Sequence, residues 1–212
     1  MIRKILITFI LFFPFVLCLG QDTDVQLWLT ANVRKDLGKK FRLYYEQGYR
    51  RDENLTKTKT FTFETGGFYK PWKFLWVGAY YRHYDDFKDY RDNTLTGIIL
   101  LREELDRFDF RLKSRYLYEF SEGKDPNHYL RERISVGYDI PKFKINPFVS
   151  SEITFHFQPD NSETEQLRYY IGGDYQIAKH HAIDFYYRYS HEMNVKNPLK
   201  MHTIGFDYVF DF

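Results

Sequence analysis

The strongest constraint on this chain is a period of two in its apolar side chains, which recurs in one segment after another from Asp24 onward. The last twelve residues, MHTIGFDYVFDF, show it most clearly, with apolar side chains at Ile204, Phe206, Tyr208, Phe210 and Phe212. Successive side chains of a β-strand point to opposite faces, so this period predicts strands with one apolar and one polar face. Helical periodicity is nowhere sustained, and we therefore expect an all-β fold.

Eleven segments carry the alternating pattern. They span about 24–34, 40–50, 57–69, 73–84, 94–105, 108–120, 128–139, 144–157, 165–176, 182–191 and 199–211. Short connections such as 139–144 alternate with longer polar ones such as 85–93, 121–128, 158–164 and 191–200. This predicts a meander of antiparallel hairpins. Single-chain bacterial membrane barrels have an even number of strands, so either one strand is split or missed, or the first segment does not complete an ordinary circuit.

An alternating meander fits two architectures, which differ in the face that lies inside. The apolar face packs inward in a soluble sandwich or barrel, whereas in a membrane barrel it faces lipid and the polar face lines the lumen. The chain is 20% aromatic, with 19 Tyr and 21 Phe, and 28% charged. A small soluble barrel could not enclose so many large side chains, whereas lipid accepts any amount of such surface. We therefore predict a transmembrane antiparallel meander β-barrel of about 10 to 12 strands.

The first 20 residues, MIRKILITFILFFPFVLCLG, have a basic start followed by an apolar run. This run is broken by Pro14 and falls short of the roughly 20 residues that a membrane-spanning helix needs. We expect residues 1–20 to be a cleaved signal peptide and residues 21–212 to form the barrel domain. Cleavage would remove Cys18, the one cysteine, and would leave 29 basic against 29 acidic residues. Cysteine chemistry and nucleic-acid binding are therefore not expected.

The polar faces carry charges that we expect to line the lumen. They are Arg42, Glu46, Arg50, Glu64, Arg82, Arg102, Glu104, Arg111, Arg115, Glu119, Arg131, Arg133, Glu152, Arg168, Asp184, Arg188 and Asp207. One interpretation is a charged pore lining that selects a solute by its sign. The other, which we favour, is that these groups pair across strands and fill a narrow barrel, because an unpaired buried charge is very costly.

Basic residues are most frequent on two neighbouring strands. Arg111, Lys113 and Arg115 lie on one, and Arg131 and Arg133 on the next. An anionic ligand could bind there, but Glu104, Glu119 and Glu152 are also placed to neutralise these charges.

Catalytic and metal-binding residues are not predicted. Ser190 and His191 are adjacent on a strand and so face opposite ways, and pairing His156 with Glu152 or His202 with His191 is only a weak candidate. The other candidates, His180 with His181 and the aspartates of segment 85–92, lack the spacing of known metal sites. We expect no cofactor.

The last strand resembles the assembly signal that Gram-negative outer-membrane barrels present to their insertion machinery, with Phe212 as the C-terminal aromatic residue. More of the chain, through WLTANVRKDLGKKFRLYYEQGYR (28–50) and LWVGAYYRHYDD (75–86), resembles a small, uncharacterised family of Gram-negative outer-membrane β-barrels known as a domain of unknown function. The resemblance implies a location in the bacterial outer membrane, with its lipid and the insertion machinery as partners, and it implies no activity.

Three functions follow as hypotheses. The first is a narrow, porin-like channel or passive carrier for a small polar or anionic solute. The second is a non-conducting structural or interaction barrel of the cell envelope. The third is an outer-membrane lipid or peptide hydrolase.

Overall fold

The computed structural model describes residues 23–86, 90–157 and 162–212, without the side chains of Lys59, Asp86, Tyr90 and Arg91. The expected signal peptide, residues 1–20, lies outside the described residues, as do Asp89 and parts of the long connections at 85–93 and 158–164. Nowhere in the described ranges is there a helix long and apolar enough to cross a membrane.

Eleven strands make up almost all of the described chain. They are β1 (Thr23–Leu37), β2 (Phe41–Asp52), β3 (Lys57–Tyr69), β4 (Leu75–Asp86), β5 (Tyr90–Leu105), β6 (Phe108–Phe120), β7 (Asn127–Tyr138), β8 (Ile145–Phe157), β9 (Ser162–Ala178), β10 (His181–Glu192) and β11 (Lys200–Asp211). Each strand pairs with its neighbours in sequence, and the sheet closes into a barrel. The predicted all-β barrel of 10 to 12 strands is confirmed.

The barrel closes through a parallel pair. Strand β1 runs alongside β11 in the same direction, from Thr23 opposite Lys200 to Arg34 opposite Asp211. All the other pairs are antiparallel. In an up-and-down meander with an odd number of strands, the first and last strands point the same way, so closure requires one parallel seam. Within the described residues no predicted strand is split or missed, and the second alternative holds: the first segment closes the sheet through a parallel seam instead of an ordinary antiparallel circuit.

Two strands begin three or four residues earlier than the sequence predicted. Strand β5 begins at Tyr90 instead of residue 94, and β9 begins at Ser162 instead of residue 165. The extensions, residues 90–93 and 162–164, consist mostly of polar residues, and the sequence analysis therefore assigned them to the long connections. They remain paired because the hydrogen bonds of the backbone continue past the apolar part of the hairpin.

The outer face of the barrel is apolar. Its middle carries exposed aliphatic side chains such as Ile99, Ile134 and Ile171, which are 49%, 60% and 57% exposed. Aromatic side chains gather toward both ends, as β6 shows with Phe108 and Phe110 at one end and Tyr116, Tyr118 and Phe120 at the other. An apolar band between two aromatic girdles is the outer surface of a membrane barrel.

The strands are tilted, so a row of cross-strand partners climbs around the barrel. One such row begins near the short-turn end of β2 and reaches the long-connection end of β8, through Tyr44, Gly66, Tyr80, Thr96, Leu117, Tyr129 and His156. A residue and its hydrogen-bonded partner on the next strand therefore differ in height along the barrel axis by about one residue position.

Candidate functional site

The inside of the barrel is filled with side chains at mid-height. Inward-facing Tyr80, Ile98, Leu117 and Tyr170 are all less than a tenth exposed, with Leu117 at 2%. Polar side chains close the gaps between them, and Thr154, Ser190 and Thr203 have no exposed surface. Within the described part of the chain, these inward side chains therefore pack against one another at mid-height and leave little surface accessible to water. We call this layer of inward side chains, to which Thr96 at 2% exposed also belongs, the plug.

Inward glycines make room for the rings of the plug. A Cβ on Gly66 would lie 2.3 Å from the carbonyl oxygen of Ala79 and 2.5 Å from the Cβ of Tyr80. A Cβ on Gly205 would lie 2.1 Å from the Tyr186 ring. Each glycine is the direct cross-strand partner of the ring that it accommodates. Sequence analysis missed this packing, although these glycines stand at inward positions of their strands.

Glu152 is the centre of an ion-pair network. It is 1% exposed and binds Arg115 on one side and Arg168 on the other, with 2.6 Å between Arg168 Nη1 and Glu152 Oε1. The three residues come from β6, β8 and β9, so the carboxylate joins strands that are not all neighbours. Each oxygen of this buried carboxylate therefore has its own arginine partner.

A second network lies on β2 to β4. Arg82 forms an ion pair with the buried Glu64 and donates from Nη1 to the Tyr84 hydroxyl at 2.9 Å. The hydroxyl of Tyr44 donates to Glu46 on the same strand. These five side chains fill the lumen beside Tyr80.

Trp28 lies between two guanidinium groups. The Arg50 and Arg188 groups are 3.9 Å and 3.8 Å from the centre of its ring, and Arg188 also donates to Thr203 Oγ1 at 2.8 Å. Cation–π contacts of this kind stabilise a charge away from water. The sequence showed the two arginines as lumen residues but gave no sign of the tryptophan that separates them.

The wall formed by β6 to β9 has an excess of positive charge. Lys113, Arg131 and Arg133 join Arg115 and Arg168 there, and the carboxylate bound among them is Glu152. The guanidinium of Arg133 lies 4.0 Å from the centre of the Tyr170 ring and donates to Ser150 at 3.2 Å. The Nε atoms of these four arginines have no hydrogen-bond partner. We call this surface the basic wall.

Three carboxylates face one another on the next strands. Asp184 is the cross-strand partner of both Asp174 and Asp207, and Asp207 accepts a hydrogen bond from Thr30. Sequence analysis named Asp184 and Asp207 but not Asp174. Like charges placed directly opposite one another on a sheet are destabilising.

The remaining predicted charges lie toward the barrel ends. Arg42 forms a two-pronged ion pair with Asp36, at 2.7 Å and 2.9 Å. Arg111 and Arg102 both bind Asp109. Glu104, which was expected to neutralise the basic strands, binds Arg102 instead at 2.6 Å. Glu119 lies inward near the long-connection end of β6.

The histidine pairs considered from sequence are not brought together. His191 lies opposite Lys200, whereas His202 lies opposite Tyr189 and contacts the Tyr187 hydroxyl at 2.6 Å. His156 stacks on Tyr129 with 4.5 Å between ring centres. In the described ranges there is also no group of three or more residues placed to hold a metal ion.

The residues of the suggested assembly signal lie along the outside of β11. Ile204, Phe206 and Tyr208 are 46%, 45% and 39% exposed. Phe212 follows the strand, and its backbone N–H donates to the Arg34 carbonyl across the seam at 2.9 Å.

Comparisons with known proteins agree with this architecture. A family model described as a protein of unknown function, DUF2490, matches residues 25–199. The chain belongs to the DUF2490 family. A search of curated proteins gives no match to this DUF2490 protein. Among solved structures, it is similar to the β domain of the Bordetella autotransporter Brka, at a TM-score of 0.52 and 13% identity. That match covers 84% of this chain and 86% of the other. At this identity the likeness concerns the fold.

Proposed function

We propose that this protein is an integral barrel of the bacterial outer membrane whose lumen is closed, and that it serves the envelope as a structural or interaction barrel. The observation that carries the proposal is the plug, whose mid-height side chains are almost completely buried. A barrel with about 8 strands is normally filled by its own side chains, whereas open pores have about 16 to 18. Eleven strands with arginine and tyrosine side chains inside lie nearer to the filled case.

The outer surface supports the membrane location. An apolar band with aromatic girdles at both ends would be unfavourable in water, where monomers rarely expose such large apolar areas. Closure of the sheet also pairs its backbone groups, which a spanning structure requires. Export would be directed by the signal peptide at residues 1–20, and insertion by the aromatic end of β11.

A narrow passage for small anions is the second candidate, and the basic wall is the observation that favours it. Several guanidinium groups surround one carboxylate there, so a small anion would find unused donors. Passage would require the plug to rearrange, because Tyr170 of the plug lies against Arg133 of the basic wall.

Thiol labelling in cells would test the proposal. Cys18 is first replaced by alanine, and single cysteines are then placed at the buried positions Thr96 and Thr154 or, as a control, at the exposed position Asp125 in the β6–β7 connection. We expect the protein in the outer-membrane fraction, with Asp125→Cys labelled by a small charged thiol reagent and the two plug cysteines protected. Rapid labelling of the plug cysteines in the folded barrel would contradict a closed lumen.

A further inference from the structure

A carboxyl group points outward from the apolar wall. Glu132 lies in the middle of β7, and alternation along the strand places it on the outer face with Leu130 and Ile134. Among the described strand residues it is the one acidic or basic side chain that faces outward in the middle of a strand. An ionisable group in the hydrocarbon layer is costly and marks a functional contact.

Among the described residues, Glu132 has one hydrogen-bond partner in its own chain. The hydroxyl of Ser114, its direct cross-strand neighbour on β6, donates to Glu132 Oε1 at 2.6 Å. A carboxyl group has further hydrogen-bonding positions: an ionised one has several acceptor sites, and an uncharged one has an O–H donor. Lipid tails cannot satisfy any of these, so the remaining capacity of Glu132 requires a group from another molecule.

Small residues flank this pair on both sides. On β5, the strand before this pair, Ile99 is the cross-strand partner of Ser114. On β8, the strand after it, Ile153 is the cross-strand partner of Glu132. Gly97 on β5 and Ser151 on β8 stand two positions from these isoleucines and face the same side. With a tilt of about one position per strand they lie within about one residue of the height of Ser114 and Glu132, and both are exposed. A Cβ on Gly97 would meet nothing within 4 Å, so its surface is open. Small residues allow close approach of two membrane proteins.

The order of these four residues around the wall is self-complementary. From β5 to β8 it runs Gly97, Ser114, Glu132 and Ser151 at about the same height. A second copy turned by 180° about an axis along the membrane normal presents the same residues in reverse order. With the axis between β6 and β7, each Glu132 faces the partner's Ser114 and each Gly97 faces the partner's Ser151. A two-fold interface requires this kind of self-matching patch.

We propose that this face, Gly97, Ser114, Glu132 and Ser151, is the contact surface for a second copy of the chain in the membrane. The Glu132 carboxyl of each copy donates its O–H to the Ser114 oxygen of the other copy while still accepting from its own Ser114 hydroxyl, so that two bonds form that neither copy has alone. This proposal goes beyond the function proposed above. It rests on one part of that function, the location of the barrel in the membrane.

Disulfide cross-linking between two differently tagged copies tests this interface. One copy carries Gly97→Cys and the other Ser151→Cys, with Cys18→Ala in both, and an oxidant is added to outer membranes. We expect a covalent dimer containing both tags. Two copies that both carry Gly97→Cys should cross-link far less, because the axis separates these positions. The control pair Ala31→Cys and Gln47→Cys lies on the opposite wall, is equally exposed and should give no dimer.

A second measurement addresses the carboxyl group itself. Glu132→Leu should lower the cross-linked fraction about tenfold, which corresponds to ~1.4 kcal/mol, while the barrel remains folded because leucine suits a lipid-facing position. Ile134→Leu on the same strand should leave the fraction unchanged.

Four outcomes would overturn the proposal. Equal cross-linking in the opposite-wall pair would show random collision, and an adduct of a different mass would show that another protein covers this face. Absence of any adduct from protein found in the outer membrane would overturn the dimer alone. Absence of the protein from that membrane would overturn the proposed function as well.

Discussion

Single inward positions decide whether the lumen can close. Gly66 and Gly205 each stand directly opposite a tyrosine, and the missing side chain provides the space that the ring fills. Glu152 holds two arginines that would otherwise be buried cations without a counter-charge. Small residues beside large ones thus build a filled interior from strands that in sequence show only alternation.

Gly66→Ala is expected to destabilise the barrel. The new methyl group would meet the Ala79 carbonyl oxygen at 2.3 Å, and this backbone atom cannot move without breaking the pairing of β3 with β4. Overpacking of this kind costs about 1 to 3 kcal/mol, which urea unfolding in detergent would measure. The matched variant Gly97→Ala, whose methyl group meets nothing, should be unchanged. Equal stability of the two variants would show that the ring packing is looser than described.

Asp184→Asn is expected to stabilise the barrel at neutral pH. It keeps the shape of the side chain but removes the middle one of three carboxylates that face one another on β9, β10 and β11. Removing the repulsion between directly opposed like charges should raise the free energy of unfolding by up to about 1 kcal/mol. The urea concentration at the midpoint of unfolding should rise accordingly. Asp109→Asn would remove the carboxylate that Arg102 and Arg111 share and should have the opposite effect. A lower midpoint for Asp184→Asn would mean that nearby arginines outweigh the repulsion.

At the scale of strands, the parallel seam is the least ordinary feature. It follows from the odd number of strands, and it places Thr23 at the end with the long connections and Phe212 at the end with the short turns. Strand number and outward faces could be predicted from sequence, because the period of two is a local property that recurs in every strand. The parallel seam could not be predicted from sequence, because pairing between the first and last strands depends on closure of the whole sheet.

Cysteines placed across the seam test its direction and register. Ala31 and Tyr208 are cross-strand partners on the outer face, so Ala31→Cys with Tyr208→Cys should form a disulfide bond within one chain. Ala31→Cys with Ile204→Cys should not, because Ile204 pairs with Leu27. Electrophoretic mobility with and without reductant detects the disulfide bond. A disulfide in the Ala31–Ile204 pair and none in the Ala31–Tyr208 pair would rule out this register.

The terminal residue is expected to act during assembly more than in the finished barrel. Phe212→Ala should reduce the amount of inserted protein severalfold while leaving synthesis and export intact, because Phe212 follows the last strand and is 59% exposed. Quantification in the outer-membrane fraction checks this, and Leu105→Ala, a similarly exposed residue at the end of β5, is the control. Normal insertion of the Phe212 variant would argue against an assembly role.

At the scale of the molecule, the charged side chains on the polar faces of the strands are arranged by contacts that the sequence did not show. Lys113 and Arg131 could be assigned to the polar face by alternation, whereas the partners of Glu152 depend on three strands and on the tilt between them. Trp28 was missed because nothing local marks it as a member of a network. Asp174, which alternation places on the same polar face as Arg168, was not counted among the expected lumen charges. The outcome is a barrel with an acidic row, a basic wall and a plug.

The central claim is that the plug closes the lumen, and planar-bilayer conductance tests it most directly. Wild-type protein should give no ion steps, whereas Tyr80→Ala with Tyr170→Ala, which removes two buried rings from the plug, should give discrete steps. Val149→Ala with Ile171→Ala, on the outer face, should remain silent like the wild type. Anion-selective steps from the wild-type protein would contradict the closed lumen and favour a passage along the basic wall.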